Sequence, residues 1–164
     1  KIGALNEVIA IKSNFSDKKE DMVFSEVIGK IKLSHSEEII ESRTIIKEDF
    51  SSCPMINFNP VQLESIIQNL MSNALKYRHP NRKLSVKITT KKVDGKTTLS
   101  FKDNGIGFKQ NLADKIFGLF KRMHTHVDGL GIGLYIIHSI INQNKGKIEV
   151  KSKVNKGTEF LIQF

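Results

Sequence analysis

The sequence predicts a single α/β (α+β) domain, and three features carry that expectation. An apolar helical stripe follows a proline in the first half of the chain, alternating apolar runs joined by an Asp-Gly pair come next, and a glycine-rich loop then opens into another apolar helix. The chain has 164 residues, enough for one ordinary core and too few for two. Its net charge of +9 favours anionic partners such as nucleotides, nucleic acid or acidic protein surfaces, and does not choose among them. Cys53 is the only cysteine, so a disulfide framework and a thiolate metal site are excluded, which fits a reducing cytoplasm. No run reaches the roughly 18 apolar residues of a membrane span, and the chain opens on no signal-peptide pattern. A soluble, cytoplasmic segment without membrane contact is expected.

Taken in order, residues 1–15 carry Ile2, Leu5, Val8 and Ile9 at helical spacing, and the polar "SDKKED" at 16–21 ends the pattern. A boundary is expected there, with 1–16 as the end of a longer helix and 17–164 as the main domain. "MVFSEVIGKIKLSHSEEIIESR" predicts a short extended start and a helix from about Ser25. "TIIKEDF" and "MINF" predict short strands. Asn59 then caps a helix whose first turn takes Pro60, because the missing amide hydrogen would have had no partner there. Leu63, Ile66, Ile67, Leu70 and Ala74 form its core stripe, and Gln62, Asn69, Asn73 and Lys76 form a polar ridge beside it. Such a ridge is ordinarily a solvated side. Its functional reading is that the amide oxygens meet a hydrated cation and its phosphates while the lysine supplies charge.

Beyond the turn-forming "RHPN", alternating runs at 84–92 and 97–103 flank Asp94-Gly95, a two-residue hairpin signal. The second run ends in "DNGIG", which places Asp103 at a strand end with Gly105 and Gly107 just beyond it. A carboxylate there can accept a hydrogen bond from an exocyclic amine while glycines let a flat ring approach the backbone; the plainer reading is an Asn-Gly turn. In "ADKIFGLFKRMHTHVD", Phe117 and Phe120 share one side of a helical turn and default to core. Arg122 precedes a short loop leading to the glycines, where a guanidinium suits a lid closing on phosphates. The glycines of "DGLGIGLYI" fit neither the dinucleotide turn, since the third comes one residue early and no strand precedes them, nor the Walker string, which the chain lacks. They open a helix buried by Leu134, Ile137, Ile140 and Ile141 and ended by Gly146, and the free amides at its start suit phosphate oxygens. Runs at 147–154 and 158–164 complete the strands.

In order, "NLMSNALKY" (69–77), "DNGIG" (103–107), "IFGLF" (116–120), "GLGIGL" (129–134) and "GT" (157–158) resemble the N, G1, F, G2 and final glycine boxes of the ATP-binding domain of sensor histidine kinases, in the GHKL ATPase superfamily. The resemblance covers roughly residues 20–164. It implies a two-layer α/β sandwich, a mixed sheet with helices on one face. It implies ATP and Mg²⁺ as ligands, with Asn69 holding the metal, Asn73 and Lys76 facing the phosphates, and Tyr77 lining the adenine pocket. By the same resemblance Asp103 takes the adenine amino group, Gly105 and Gly107 admit the ring, and Arg122 is the lid arginine near the γ-phosphate. Gly129, Gly131 and Gly133 wrap the phosphate chain, Thr158 lies near adenine, and Phe117, Phe120, Leu130 and Leu134 join the nucleotide site from the F and G2 boxes.

The reaction so implied is transfer of the γ-phosphoryl group of MgATP to a histidine and then to an aspartate of a response regulator, which demands mainly positioning and charge neutralisation. Asn69, Lys76 and Arg122 are the candidate catalytic residues. The family's acceptor histidine sits on a dimerising helical hairpin, followed by an acid and then a proline, and none of His35, His79, His124, His126 and His138 has that context. The chain is therefore expected to bind ATP without phosphorylating itself, as a monomeric fragment of a homodimeric, membrane-anchored parent. Ser65 stands where gyrase-type relatives carry a catalytic glutamate, and Glu64 points about 100° away around the helix, so ATP hydrolysis is disfavoured. The alternatives are a free-standing serine kinase and anti-sigma factor of the same superfamily, and an ATP-binding interaction module without kinase activity. A nucleic-acid binder is not expected, because the lysines of the basic runs alternate with apolar residues as on the wet face of a sheet.

Overall fold

The computed structural model describes residues 18–118 and 131–164; the expected helix end at 1–16 lies outside the described residues. Strand β1 (Glu20–Val23) pairs antiparallel with β3 (Met55–Phe58) in a small two-stranded sheet. Helix α1 (Phe24–Ser34) follows and buries Phe24, Val27, Ile28 and Ile31 at three- and four-residue spacing. Where the sequence predicts one helix, the structure breaks it and starts a short α2 (Ser36–Glu41). The break coincides with a tertiary contact of the His35 ring. Ser34 Oγ bonds back to Ile31 O at 2.8 Å, the His35 ring lodges 2.9 Å from Gln68 Nε2, and His35 leaves helical dihedrals at φ −110°, ψ 17° although its N–H still donates to Ile31 O at 3.2 Å.

The main sheet has five strands in the order β2, β4, β5, β7, β6, with β2 (Ile45–Asp49) parallel to β4 (Ser85–Val93) and every other pair antiparallel. It is therefore mixed, as expected. β4 and β5 (Lys96–Asp103) form the hairpin that Asp94-Gly95 predicts, and both turn residues take positive φ, +52° and +75°. β6 (Lys147–Lys153) and β7 (Gly157–Gln163) form the second hairpin. Val86, Ile88, Leu99, Phe101, Phe160 and Ile162 alternate onto one face and are buried there. Lys87, Lys102 and Lys151 alternate onto the opposite, exposed face.

Helix α3 (Pro60–Lys76) starts as its cap predicts, with Asn59 Oδ1 accepting from Gln62 N at 3.0 Å. Its whole expected stripe is buried, and it packs between α1 and α4 (Gly133–Gln143) over the buried sheet face. Burying each such leucine or isoleucine stabilises the fold by about 1.5–3 kcal/mol. Gln62 leaves the expected polar ridge: it is buried, and its Oε1 accepts from Asn144 Nδ2 at 2.9 Å. The end of α4 also differs in detail from expectation. Lys145, not Gly146, takes the left-handed conformation, φ +58°. Gly146 is required instead by close approach, since a Cβ there would overlap the Gln163 carbonyl oxygen.

Candidate functional site

The candidate site is built along the second half of α3. Asn69 lies one turn beyond Ser65, and its Nδ2 donates to Ser65 O at 2.8 Å and approaches Ser65 Oγ at 3.4 Å. With the amide nitrogen engaged by its own helix, Oδ1 is turned toward Gly133, the first residue of α4; a Cβ on that glycine would stand 2.7 Å from it. The acceptor atom and the start of α4 thus share one space. Among the described residues no side chain caps α4 and its first turn carries no acid, so its positive end suits an anion. Asn73 is half-buried on the next turn, and Lys76 is exposed on the last one. Glu64 faces the other way and pairs with Lys30 of α1 at 2.7 Å.

Eight residues of helix, about 12 Å, separate Asn69 from Tyr77, the C-cap of α3. The Tyr77 carbonyl accepts from Ile106 N at 2.8 Å, which joins this end of the helix to the glycine loop after β5. Gly105 must be glycine there, because a Cβ would overlap the Tyr77 carbonyl oxygen. Asp103 sits at the end of β5, in register with Thr158 of β7. Its Oδ1 accepts from Gly105 N at 2.8 Å, and the Thr158 backbone also bonds to it. Burial pushes its carboxyl up to about 6 from an ordinary 3.8, against these two hydrogen bonds, which lower it. A largely desolvated carboxyl beside Gly105 and Thr158 is an acceptor for an exocyclic amine. Thr158 is buried beside it, its Oγ1 2.9 Å from Ser152 Oγ.

The remaining expected residues divide in two. Gly131 has φ +69°, Leu134 packs partly against the core, and Phe117 stacks on His138 of α4 with ring centroids 5.1 Å apart. Phe120, Arg122, Gly129 and Leu130 lie outside the described residues. Several residues around the site were not singled out in the sequence. Ser152 Oγ accepts from Phe108 N, and the Gln110 side chain pairs with Val150 O and Ser152 N along the edge of β6. Arg82 and Asn104 hold the loop after β5. Nothing in their local spacing signals this, because each acts on segments remote in the chain.

Residues 58–164 match the family model described as histidine kinase-, DNA gyrase B-, and HSP90-like ATPase. Sensor protein RprX of Bacteroides fragilis is 39% identical over 113 residues, covering 66% of this chain and 22% of that protein. Sensor protein kinase WalK of Staphylococcus aureus is 28% identical over 169 residues, covering 98% of this chain and 40% of that protein. The chain therefore spans between about a fifth and two fifths of these relatives' length. Among solved structures, the nucleotide-free catalytic domain of histidine kinase ThkA superposes with a TM-score of 0.75 at 22% identity, covering 89% of this chain and 94% of that one. Full-length ShkA in complex with AMPPNP superposes with a TM-score of 0.82 at 22% identity, covering 99% of this chain and 35% of that one. These likenesses establish the fold as that of histidine-kinase ATP-binding domains.

Proposed function

The chain belongs to the histidine kinase-, DNA gyrase B-, and HSP90-like ATPase family, and from that premise we propose that it is the ATP-binding catalytic domain of a two-component sensor histidine kinase. It takes the γ-phosphoryl group of MgATP to a histidine on a helical hairpin of the longer protein, from which a response regulator receives it. The observation that carries this reading is the pairing of Asp103, half-buried and tied to Gly105, with an amide-lined helix that runs from it to the start of α4. A purine amine meets the Asp103 carboxylate at one end, and phosphates reach the α4 amides, Asn73 and Lys76 at the other.

The residues also fit a magnesium ion. Asn69 presents an amide oxygen because its nitrogen is held by Ser65, and an uncharged oxygen donor suits a hard cation that keeps several of its waters. When bound, the ion neutralises phosphate charge as the transferred group departs. Gly129, Gly131 and Gly133 wrap the phosphate chain and Arg122 closes over its end. Tyr77, Gly105, Gly107 and Thr158 surround the adenine, and Phe117, Phe120, Leu130 and Leu134 complete the apolar wall. With Ser65 in place of a carboxylate and Glu64 committed to Lys30, the described residues hold no base beside Asn69 to activate water. That spares the phosphoryl group for the histidine. Residues 1–16 are assigned to the end of the hairpin helix, and the parent is taken as a membrane-anchored homodimer.

Isothermal titration of ATP with and without Mg²⁺ tests the reading. Asp103→Ala is expected to weaken binding at least tenfold, roughly what losing a hydrogen bond to a charged group costs. Asn69→Ala is expected to bind ATP equally with and without the metal. Absence of nucleotide binding by the wild-type chain would refute the proposal and leave an interaction module in its place.

A further inference from the structure

The Arg82 guanidinium donates to three main-chain carbonyls: from Nε to Asn104 O at 2.7 Å, and from Nη2 to Gly105 O at 2.9 Å and Asn155 O at 2.5 Å. These carbonyls belong to the loop after β5 and the turn between β6 and β7, while Arg82 lies between α3 and β4. The Asn104 side chain strengthens the same junction, accepting from Ser85 N at 2.8 Å and donating to Lys83 O at 3.0 Å. On the far side of the loop, Asn155 N donates to Ile106 O at 2.7 Å. The Gly105 peptide unit is therefore tied at both ends of the residue: its N–H to Asp103 Oδ1 and its C=O to Arg82.

We infer that Arg82 is a positioning residue for base recognition, acting through the Gly105 main chain on the direction of the Asp103 carboxylate. A loop with glycines at 105 and 107 has little side-chain packing to order it, and glycine loses more conformational freedom on ordering than any other residue. A planar fork that serves three carbonyls at once supplies that order from outside the loop, and lysine, with a single ammonium on a flexible stem, does not reproduce it. The inference rests on the proposed function in one respect: the base taken is adenine. Arg82 is itself exposed, so its bonds compete with water and contribute little to global stability, whereas their effect on a glycine loop is local.

Arg82→Lys keeps the charge and removes the fork; Arg82→Gln removes both. Three measurements test the inference on the full chain: amide hydrogen exchange at residues 104–107, thermal melting, and binding of ATP and of adenosine by NMR titration. The expected result for both variants is faster exchange at 104–107 with core amides unchanged and a melting midpoint within about 4 °C of wild type. Adenosine and ATP should weaken by the same factor, about five- to tenfold, as for loss of one to two modest hydrogen bonds. Full rescue by Arg82→Lys, or weakening of ATP alone, would make Arg82 a phosphate contact and overturn the inference. So would unchanged exchange and binding, or a large fall in melting midpoint with exchange raised throughout. If the wild-type chain binds neither ligand, the nucleotide reading fails, while exchange at 104–107 still decides whether Arg82 orders the loop.

Discussion

Asp103 joins the chemistry of the site to pH. Its folded value, about 6, lies above the ordinary 3.8 because burial disfavours the charge. Between those values the native chain holds a proton that the unfolded chain has lost. The contribution of Asp103 to stability is thus complete below about pH 4 and is lost as pH rises through about 6. Binding runs the other way, since the ionised carboxylate is the better acceptor for an amine. Adenosine, which has no phosphate to titrate in this range, is predicted to bind more weakly as pH falls below about 6. Asp103→Asn should flatten that dependence, and a wild-type affinity constant from about pH 5 to 7.5 would exclude the assignment. Asn69 makes a different point at the same scale: its spacing announces a polar ridge, but the direction of its amide depends on Ser65.

Among the elements, α3 bears both the core and the site. Its apolar stripe fixes which face is buried, and the amide face follows from the same 3.6-residue period. Loosening the stripe therefore displaces the site as well. Leu70→Ala, at a position 1% exposed, is predicted to cost about 2–5 kcal/mol in urea unfolding. Asn59→Ala removes the cap and should cost about 1–2 kcal/mol in the same experiment. At the far end of α4, Gly146→Ala would drive a methyl group into the Gln163 carbonyl. It should destabilise the contact between the β6 start and the β7 end, read as faster exchange of their amides, whereas Lys145→Gly should be neutral or mildly stabilising because Lys145 already has φ +58°.

At the scale of the molecule, two of the described histidines, His35 and His138, are already engaged. His35 is 10% exposed in its side chain and bonded to Gln68, and His138 is stacked on Phe117. The chain incubated with MgATP is accordingly predicted to yield no acid-labile phosphohistidine, and to phosphorylate its parent's helical hairpin when that is supplied separately; radiolabel on the chain itself would contradict this. What the sequence determined on its own was the kind and order of the elements: the Asn59-Pro60 start of α3, the Asp94-Gly95 hairpin, the apolar sheet face and the glycine boxes. These depend on neighbours a few residues apart, where period and turn chemistry act directly. Tertiary structure alone decided the split at His35, the burial of Gln62, the elevated pKa of Asp103 and the grip of Arg82 on the loop beside it. Each of these depends on chain segments distant in sequence, as Arg82 and Asn155 are at 73 residues apart, and such contacts arise only when packing brings the segments together.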